Sequence, residues 1–555
     1  MYFCNQPSQR NFFFQIIQNL FYIIKNRSTN SAMRIINLFI RGVFPFLFVA
    51  ILIYILLFFY EKPKENKYSA TKREMRAAWI TTYRCIDWPS KWGLTTEDQK
   101  KELVDIFDLH QRNGMNAIIF QVRPSGDALY QSDIEPWGEW LSGTQGETPN
   151  PFYDPLAFAI ELAHERNMEF HAWFNPYRAQ ADTVWSILDS SHIINHHPEW
   201  FVIHGRKRYF NPGIPEVREY LVKVVVDVVK RYDIDAVHFD DYFYPYPVDT
   251  LFFDDLATFK KYQGNFTDRQ LNDWRRNNVN LTIQMISKAI KETKPWVKFG
   301  ISPHGVWRNE GYDPRGSKSR GAANYDDLFA DVLLWLEKGW IDYITPQLYW
   351  HIGNRSAPYE VMLEWWRNYH YNRHLYIGEG IYMLDSTSYI KAWRTPDEIF
   401  KHIEMCRQAP DVKGYMFYNT RAIQQNFLGI NELLKQNYFQ NVALIPVMEW
   451  IDSVPPLPPA GLKVTQPQEG IKLSWVKNDT LQNEFDKHSY YIVYRFEGQE
   501  VGELVPENMV AVVRNNAVTF KRNISFLRKK YTFVVTGVDR LHNESAASQP
   551  IIIRM

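Results

Sequence analysis

Two adjacent carboxylates, Asp240 and Asp241, end a short apolar segment and are followed by a run of aromatic residues. Because successive residues of a strand point to opposite faces, Val237 and Phe239 share one face, while His238 and Asp240 share the other. The apolar face suits packing against helices, and the mixed face suits the inside of a barrel near its mouth. Many barrel enzymes hold their catalytic groups at the carboxyl ends of the strands. The segment therefore predicts a chemical site at Asp240.

Paired carboxylates favour the cleavage of a glycosidic bond. That reaction needs a proton donor for the leaving oxygen and a second carboxylate that attacks the sugar or activates water. The two groups must titrate apart, with the donor kept neutral by burial or by a like charge. Glu379, which lies between two glycines near the end of a later predicted strand, is expected to face Asp240 across the mouth, and Asp241 is its rival. The predicted catalytic residues are Asp240, Asp241 and Glu379; in the alternative interpretation Asp241 caps an element or forms a salt bridge.

Polar side chains recur at the ends of the other predicted strands, where they would converge on one mouth. The chain also contains 19 tryptophans and 33 tyrosines, whose rings can stack on the apolar faces of sugars; the alternative is that they fill a large core. For His238 the second interpretation is a histidine whose hydrogen bonds are satisfied within the core. The predicted substrate-binding residues are Arg123, Asn175, His238, His304, Gln347, Tyr349 and Trp350.

The elements that must position these residues alternate between strand and helix patterns over 70–450. Eight strands separated by helical segments predict a (β/α)8 TIM barrel with long insertions, one of which contains a hairpin at 200–210. An open doubly wound sheet is the weaker alternative, since no glycine-rich phosphate loop follows any strand. The strands are predicted at 76–81, 117–124, 169–175, the segment before Asp240, 298–303, 342–348, 374–380 and 414–419.

The N-terminal extension, 1–69, contains a run from Val43 to Tyr60 that is almost wholly apolar. A transmembrane helix is predicted at about 38–60, because this length can cross the hydrocarbon core of a bilayer. Arg34 and Arg41 precede the apolar run and favour a cytoplasmic N-terminus, and Lys62, Lys64 and Lys67, which follow the run, weaken this charge asymmetry. We therefore expect an uncleaved signal anchor and a single-pass protein of the cell membrane, with the barrel in the periplasm or otherwise outside the cytoplasm. Met33 is an alternative start to Met1.

The C-terminal part begins with a proline-rich linker at 451–460, which is expected to be stiff. Short alternating strands then fill 461–555, and their spacing predicts an all-β sandwich. Trp475 on an early strand and Tyr531 at the start of a late one resemble a fibronectin type III domain. Such modules space or bind, and no catalytic set of residues is evident in this one.

Composition argues against several other classes of function. The net charge is +1, so nothing points to nucleic acid as a partner. No group of cysteines and histidines has the spacing of a zinc site, so no metal and no cofactor are predicted. Cys4 precedes the predicted membrane segment, and whether Cys85 and Cys406 form a disulfide stays open.

Several motifs together resemble the glycosyl-hydrolase-like family 10 proteins, which are bacterial envelope barrels. They are REMRAAWITT, GMNAIIFQVRPSGDALY, FHAWFNPYR, DAVHFDDYFYPYP, FGISPHGVWRN, DYITPQLYW and LYIGEGIY, and the likeness covers about 73–445. One branch of the family is implicated in cutting peptidoglycan glycan strands stripped of their peptides. The resemblance thus implies a hydrolase of such strands, which the apolar run would anchor in the membrane. The alternatives are a hydrolase of another polysaccharide or a glycan-binding scaffold without turnover. The motif residues that carry over are Asp240, Asp241, Arg123, Asn175, His304, Gln347 and Tyr349.

Overall fold

Eight parallel strands close into a barrel in the order β1, β2, β3, β7, β8, β9, β10 and β11, with β11 paired back to β1. The computed structural model of the protein describes residues 71–248, 251–467, 470–478, 484–521 and 529–554. Closure confirms the predicted (β/α)8 barrel and contradicts the open sheet. The barrel strands are β1 (Met75–Ile80), β2 (Ala117–Arg123), β3 (Glu169–Phe174), β7 (Ala236–Phe239), β8 (Lys298–Ile301), β9 (Tyr343–Ile344), β10 (His374–Glu379) and β11 (Val412–Phe417).

Helices follow the strands and bury their apolar faces against them. The first begins after Thr95, whose side chain accepts a hydrogen bond from the backbone N–H of Asp98, and it buries Leu103, Ile106 and Phe107. This is the helical spacing that the sequence shows. The helices are α1 (Thr96–Arg112), α2 (Glu139–Ser142), α3 (Pro155–Glu165), α4 (Pro215–Arg231), α5 (Leu256–Tyr262), α6 (Leu271–Thr293), α7 (Asn324–Asp327), α8 (Val332–Glu337), α9 (Tyr359–Asn368), α10 (Asp397–Gln408), α11 (Thr420–Gln424) and α12 (Ile430–Asn437).

Large side chains fill the inside of the barrel. Trp79, Trp173, Tyr343, Tyr376 and Met416 belong to one buried cluster. They come from five different strands and all point inward, so the barrel encloses a packed core and not a pore. The residues that do chemistry must therefore lie above this core, at the carboxyl ends of the strands.

A small antiparallel sheet, here called the mouth sheet, follows β3 at that end of the barrel. It consists of β4 (Arg178–Gln180), β5 (Phe201–His204) and β6 (Lys207–Phe210), with β6 in the middle. The β5–β6 pair confirms the predicted hairpin at 200–210. Because β4 starts just after β3 ends, the mouth sheet stands beside the opening of the barrel.

Two antiparallel sheets form the C-terminal part, in agreement with the predicted all-β module. They share one apolar cluster, to which Trp475, Tyr491, Phe533 and Ile553 contribute, so their inner faces pack together. The fibronectin type III assignment and the limits 451–460 and 461–555 stay predictions. The sheets have the orders β12–β13–β16 and β15–β14–β17–β18, with β12 (Ala460–Thr465), β13 (Gly470–Val476), β14 (Tyr490–Glu497), β15 (Met509–Val513), β16 (Ala517–Lys521), β17 (Lys530–Val538) and β18 (Ile551–Arg554).

The loop after β17 docks this module onto the base of the barrel. His542 lies 2.5 Å from a carboxylate oxygen of Glu169, and Lys298 contacts the same carboxylate. Glu169 and Lys298 are the first residues of β3 and β8, at the end of the barrel opposite the mouth. Arg540 forms a further ion pair with Asp233, at 2.5 Å. The module therefore packs against the barrel base, beyond the spacing or binding role that the sequence indicates.

The predicted transmembrane helix at 38–60 and the extension 1–69 lie outside the described residues. Within the described ranges, no helix combines the length and the apolar character needed to cross a bilayer. Cys85 and Cys406 are both buried and both free, which answers the question that the sequence leaves open about a disulfide.

Replacing Lys298 by Met is expected to lower the free energy of unfolding by about 3 kcal/mol, because the Glu169 carboxylate would stay buried without its cation. In the wild type Lys298 and His542 hold the pKa of Glu169 well below its usual range against the opposing effect of burial, so loss of the lysine removes a large stabilisation of the charged form. Chemical denaturation followed by tryptophan fluorescence measures the change. The matched control is Lys101→Met, since the Lys101–Asp105 pair is exposed and adds little. Equal effects of the two substitutions would contradict the structure.

Candidate active site

Asp240 lies directly after β7, at the floor of the barrel mouth. Its Oδ2 accepts hydrogen bonds from Trp173 Nε1 and Asn175 Nδ2, each at 3.0 Å. Its Oδ1 accepts one from the backbone N–H of Tyr242 at 3.2 Å. The residue is 3% exposed, so it is nearly buried without being sealed off. Strand parity therefore correctly predicts its inward direction.

Burial and the neighbouring charge of Asp241 raise the pKa of Asp240 to about 7. The positive charge of Arg178 and the donors from Trp173 and Tyr242 oppose this rise without cancelling it. Asp240 can therefore keep its proton up to near-neutral pH. A general acid works best when its pKa lies near the working pH, so Asp240 is suited to that role.

Asp241 turns toward the same mouth. Its Oδ1 accepts a hydrogen bond from Gln347 Nε2 at 3.1 Å, and its Oδ2 accepts one from the Tyr246 hydroxyl. The Tyr246 hydroxyl also lies 3.3 Å from His304 Nδ1. Asp241 forms no salt bridge within the described ranges, which contradicts the salt-bridge alternative. The structure thus brings Asp241, Gln347 and His304 together, as predicted.

Aromatic side chains form the rim above the carboxylates. Trp350 packs its ring against the edge of His304 at 5.4 Å, and Tyr349 stacks on Tyr418 at 5.9 Å. Tyr349 and Trp350, which the sequence predicts to bind substrate, are both half-buried. Gly380 leaves room for the Tyr349 side chain, since a Cβ at position 380 would come within 3.1 Å of it. The rim can therefore receive the apolar face of a sugar.

Glu379 does not face Asp240, and the expectation that it does is wrong. Its two oxygens bond Tyr359 of α9 at 2.7 Å and His402 of α10 at 2.8 Å, and the residue is fully buried. Along β10 it is Tyr376 that joins the barrel interior, so Glu379 points outward to the helix layer. The carboxylate is a structural anchor for β10.

Arg123 is also placed differently from the prediction that it binds substrate. Its guanidinium forms a two-pronged ion pair with Glu135 at 2.7 and 2.6 Å, and Nη1 donates to the backbone oxygen of Asn175 at 2.7 Å. Asn175 is itself fully buried. Its Nδ2 donates a hydrogen bond to Asp240, and its Oδ1 accepts one from the backbone N–H of Arg178. Both residues position Asp240, and neither reaches the open mouth.

His238 is fully buried beneath Asp240, which contradicts substrate binding and confirms the alternative of a satisfied core histidine. Trp79 Nε1 can only donate, so His238 Nε2, at 3.3 Å, must accept. His238 Nδ1 therefore carries the hydrogen and donates to the Tyr343 oxygen at 2.9 Å. Tyr343 then donates to His171 Nδ1 at 2.8 Å, and His171 Nε2 donates to Glu169 at 2.9 Å. This directed chain keeps His238 neutral, in accord with burial, which holds its pKa well below the usual range.

Three residues of the site are missing from the sequence prediction. Trp173 shares its strand face with Asn175, a signal that could have identified it as a partner of Asp240. Arg178 ends the FNPYR motif, but nothing in that motif says that it approaches a carboxylate. Tyr246 follows Asp241 by five residues in an irregular loop, where no periodicity predicts its direction.

A closed barrel with an adjacent carboxylate pair and an aromatic rim at the carboxyl ends of its strands is the arrangement of a glycoside hydrolase. A sequence model of the family described as Glycosyl hydrolase-like 10 matches residues 74–394. Because the match covers more than half of the chain, the protein belongs to this family, and its enzyme class is that of the glycoside hydrolases.

Curated relatives agree with this membership. The chain is similar to glycosyl hydrolase YngK of Bacillus subtilis (strain 168), with 44% identity over 481 residues, 86% of this chain and 93% of that protein. It is also similar to glycosyl hydrolase DigH of Escherichia coli (strain K12), with 37% identity over 382 residues, 64% of this chain and 86% of that protein. Among solved structures, the PgaB (BpsB) glycoside hydrolase domain from Bordetella bronchiseptica matches at 11% identity and a TM-score of 0.43, over 65% of this chain and 98% of that domain.

Glu379→Gln is expected to lower the free energy of unfolding by about 2 kcal/mol and to leave kcat on a glycan within about threefold of the wild type. The substitution removes the charge that, with Glu398, raises the pKa of His402 despite its burial. Denaturation and a reducing-end assay on the same preparation measure both effects. A folded Glu379→Gln protein that loses as much activity as Asp240→Asn would return Glu379 to the catalytic set.

Proposed function

We propose that this protein is a membrane-anchored hydrolase of the bacterial cell envelope that cleaves peptidoglycan glycan strands stripped of their peptides. Asp240 and Asp241 would carry the acid–base catalysis. The observation that carries the proposal is the pair itself: two adjacent carboxylates at the barrel mouth, one of them with a pKa raised to about 7.

The proposed reaction uses one carboxylate as acid and the other as base or nucleophile. Protonated Asp240 gives its proton to the glycosidic oxygen as the bond from that oxygen to the anomeric carbon breaks. Asp241, held by Gln347 and Tyr246, attacks the anomeric carbon or takes the proton of the water that adds there. The fixed donors around both groups limit the reorganisation that the reaction needs.

The substrate and the location rest on sequence features. The family resemblance includes a branch implicated in cutting peptide-stripped strands, and the predicted anchor at 38–60 would hold the barrel outside the cytoplasm. Tyr349 and Trp350 support a sugar ligand, because half-buried aromatic residues near a carboxylate pair suit the apolar face of a pyranose. Another polysaccharide would use the same chemistry, so the choice of glycan is part of the test.

Detergent-solubilised full-length protein is expected to release new reducing ends from peptide-stripped peptidoglycan strands. Asp240→Asn should lower kcat at least about a thousandfold, because the proton donor is lost. The matched control is Asp254→Asn, an exposed aspartate in the loop that follows the site, which should retain activity. Binding of strands by the wild type without any product would overturn the proposal in favour of a glycan-binding scaffold, and cleavage only of other polysaccharides would overturn the substrate.

The pH profile of kcat/KM should fall as the pH rises through about 7, since the free enzyme must hold a proton on Asp240. The sign follows from the raised pKa: the reactive protonated form is complete well below 7 and lost above it. Initial rates between about pH 4 and pH 9, in a buffer of constant ionic strength, measure this fall of kcat/KM. A rate that keeps rising to pH 9 would exclude Asp240 as the acid.

A further inference from the structure

Arg178 of the mouth sheet stands beside Asp240, and two further cations, Lys207 and Arg84, lie near Arg178. The proposed mechanism uses none of the three as a catalyst. Arg178 of β4 pairs with Tyr209 of β6, and residues paired in this way share a face of the sheet. Lys207 lies two residues before Tyr209 and therefore has the same face. Arg178 comes close enough to Asp240 to act on its charge. The face that carries both cations thus borders the catalytic pair.

Arg84 joins the two cations from the loop after β1. The guanidinium carbons of Arg178 and Arg84 lie 4.1 and 5.5 Å from the centre of the same Tyr83 ring. Arg84 also lies 5.3 Å from the Trp185 ring, which is 41% exposed. Cations and aromatic rings therefore alternate along one path, from Arg178 near Asp240 to the exposed Trp185.

Arg84, Arg178 and Lys207 form no direct ion pair within the described residues. The carboxylates nearest to them have other partners, since Asp182 pairs with Arg206 at 2.9 Å and Glu139 accepts a hydrogen bond from Ser186 at 2.8 Å. Asp182 and Glu139 therefore attract Lys207 and Arg84 only from a longer distance. Burial, with repulsion from Arg178 and Arg84, lowers the pKa of Lys207. A carboxylate ligand at this place would relieve that repulsion.

The loop that carries Arg84 is held in a fixed and unfavourable conformation. Arg84 and Cys85 have φ angles of 55° and 52°, in the left-handed region that costs non-glycine residues about 1 kcal/mol each. Gln121 Oε1 accepts hydrogen bonds from the backbone N–H groups of Thr82 and Tyr83, at 3.1 and 2.8 Å. Arg421 donates to the Cys85 carbonyl at 2.8 Å. Strain maintained in this way is typical of sites whose geometry must be set before a ligand arrives.

We propose that Arg84, Arg178 and Lys207 form a subsite for the carboxylate of an acidic sugar, with Tyr83 and Trp185 beside it as surfaces for the sugar rings. The inference rests on the proposed function and specifies its substrate. A peptidoglycan strand without peptides carries a free lactyl carboxylate on every second sugar, whereas in the peptide-bearing strand that group is an amide. The subsite would therefore select stripped strands by charge, through charge-assisted hydrogen bonds.

The test compares two forms of one substrate: peptide-stripped strands and the same strands with their carboxylates converted to primary amides. The full-length wild type is expected to show a kcat/KM at least about 10-fold higher on the carboxylate form. In the Arg84→Gln/Lys207→Gln double variant this preference should fall below about threefold, mainly through a higher KM. The matched control is Arg208→Gln, because Arg208 is next to Lys207 on the same strand but on its opposite face.

The outcomes separate this inference from the proposed function. Cleavage of both forms at equal rates by the wild type, or an unchanged preference in the double variant, would overturn the subsite while the hydrolase stands. If the wild type cleaves neither form, the proposed function itself is wrong. Loss of preference in Arg208→Gln to the same degree as in the double variant would show a general effect of surface charge and overturn the subsite. Higher salt should weaken the preference of the wild type, because a charge-based contact is screened.

Discussion

The burial of Asp240, together with the repulsion from the adjacent carboxylate of Asp241, is the constraint on which the active site depends. Asp240 and Asp241 would both ionise readily in water. At the mouth of this barrel, burial and mutual repulsion keep one proton on the pair up to neutral pH. Hydrogen bonds from neighbouring side chains stabilise this arrangement. Trp173 and Asn175 donate to Asp240, and Gln347 and Tyr246 donate to Asp241.

The support of this pair reaches through the whole barrel. From Trp79 and His238 below Asp240, hydrogen bonds with one consistent direction run through Tyr343 and His171 to Glu169 at the base. There the C-terminal module meets the chain through His542. The hydrogen-bond chain beneath the site therefore ends on a carboxylate that the module helps to bury. A module for which the sequence indicates a spacing or binding role is thus part of the framework below the catalytic floor.

The sequence predicts the barrel and much of the site because strand periodicity survives where strands are buried and parallel. It places Asp240 inward, and it gathers His304, Gln347, Tyr349 and Trp350 at the mouth. It fails for Glu379, which is assigned to the mouth only because it ends a strand. Alternation along β10 from the inward-facing Tyr376 shows that Glu379 points outward to the helices. It fails for Arg123 because periodicity gives direction and not partners, and Glu135 arrives from a loop. The docking of His542 depends on contacts some 370 residues apart in the chain, which no local pattern encodes.

The protonation of Asp240 is the quantity that decides this account. Infrared difference spectroscopy of the carboxyl C=O band, with Asp240→Asn as the reference that removes the signal, can follow it from acid to alkaline pH. The account predicts a midpoint near pH 7 in the wild type, and a lower midpoint in Asp241→Asn, where the neighbouring charge is absent. A midpoint near 4, the value of an ordinary aspartate, or one that does not move in Asp241→Asn, would contradict it.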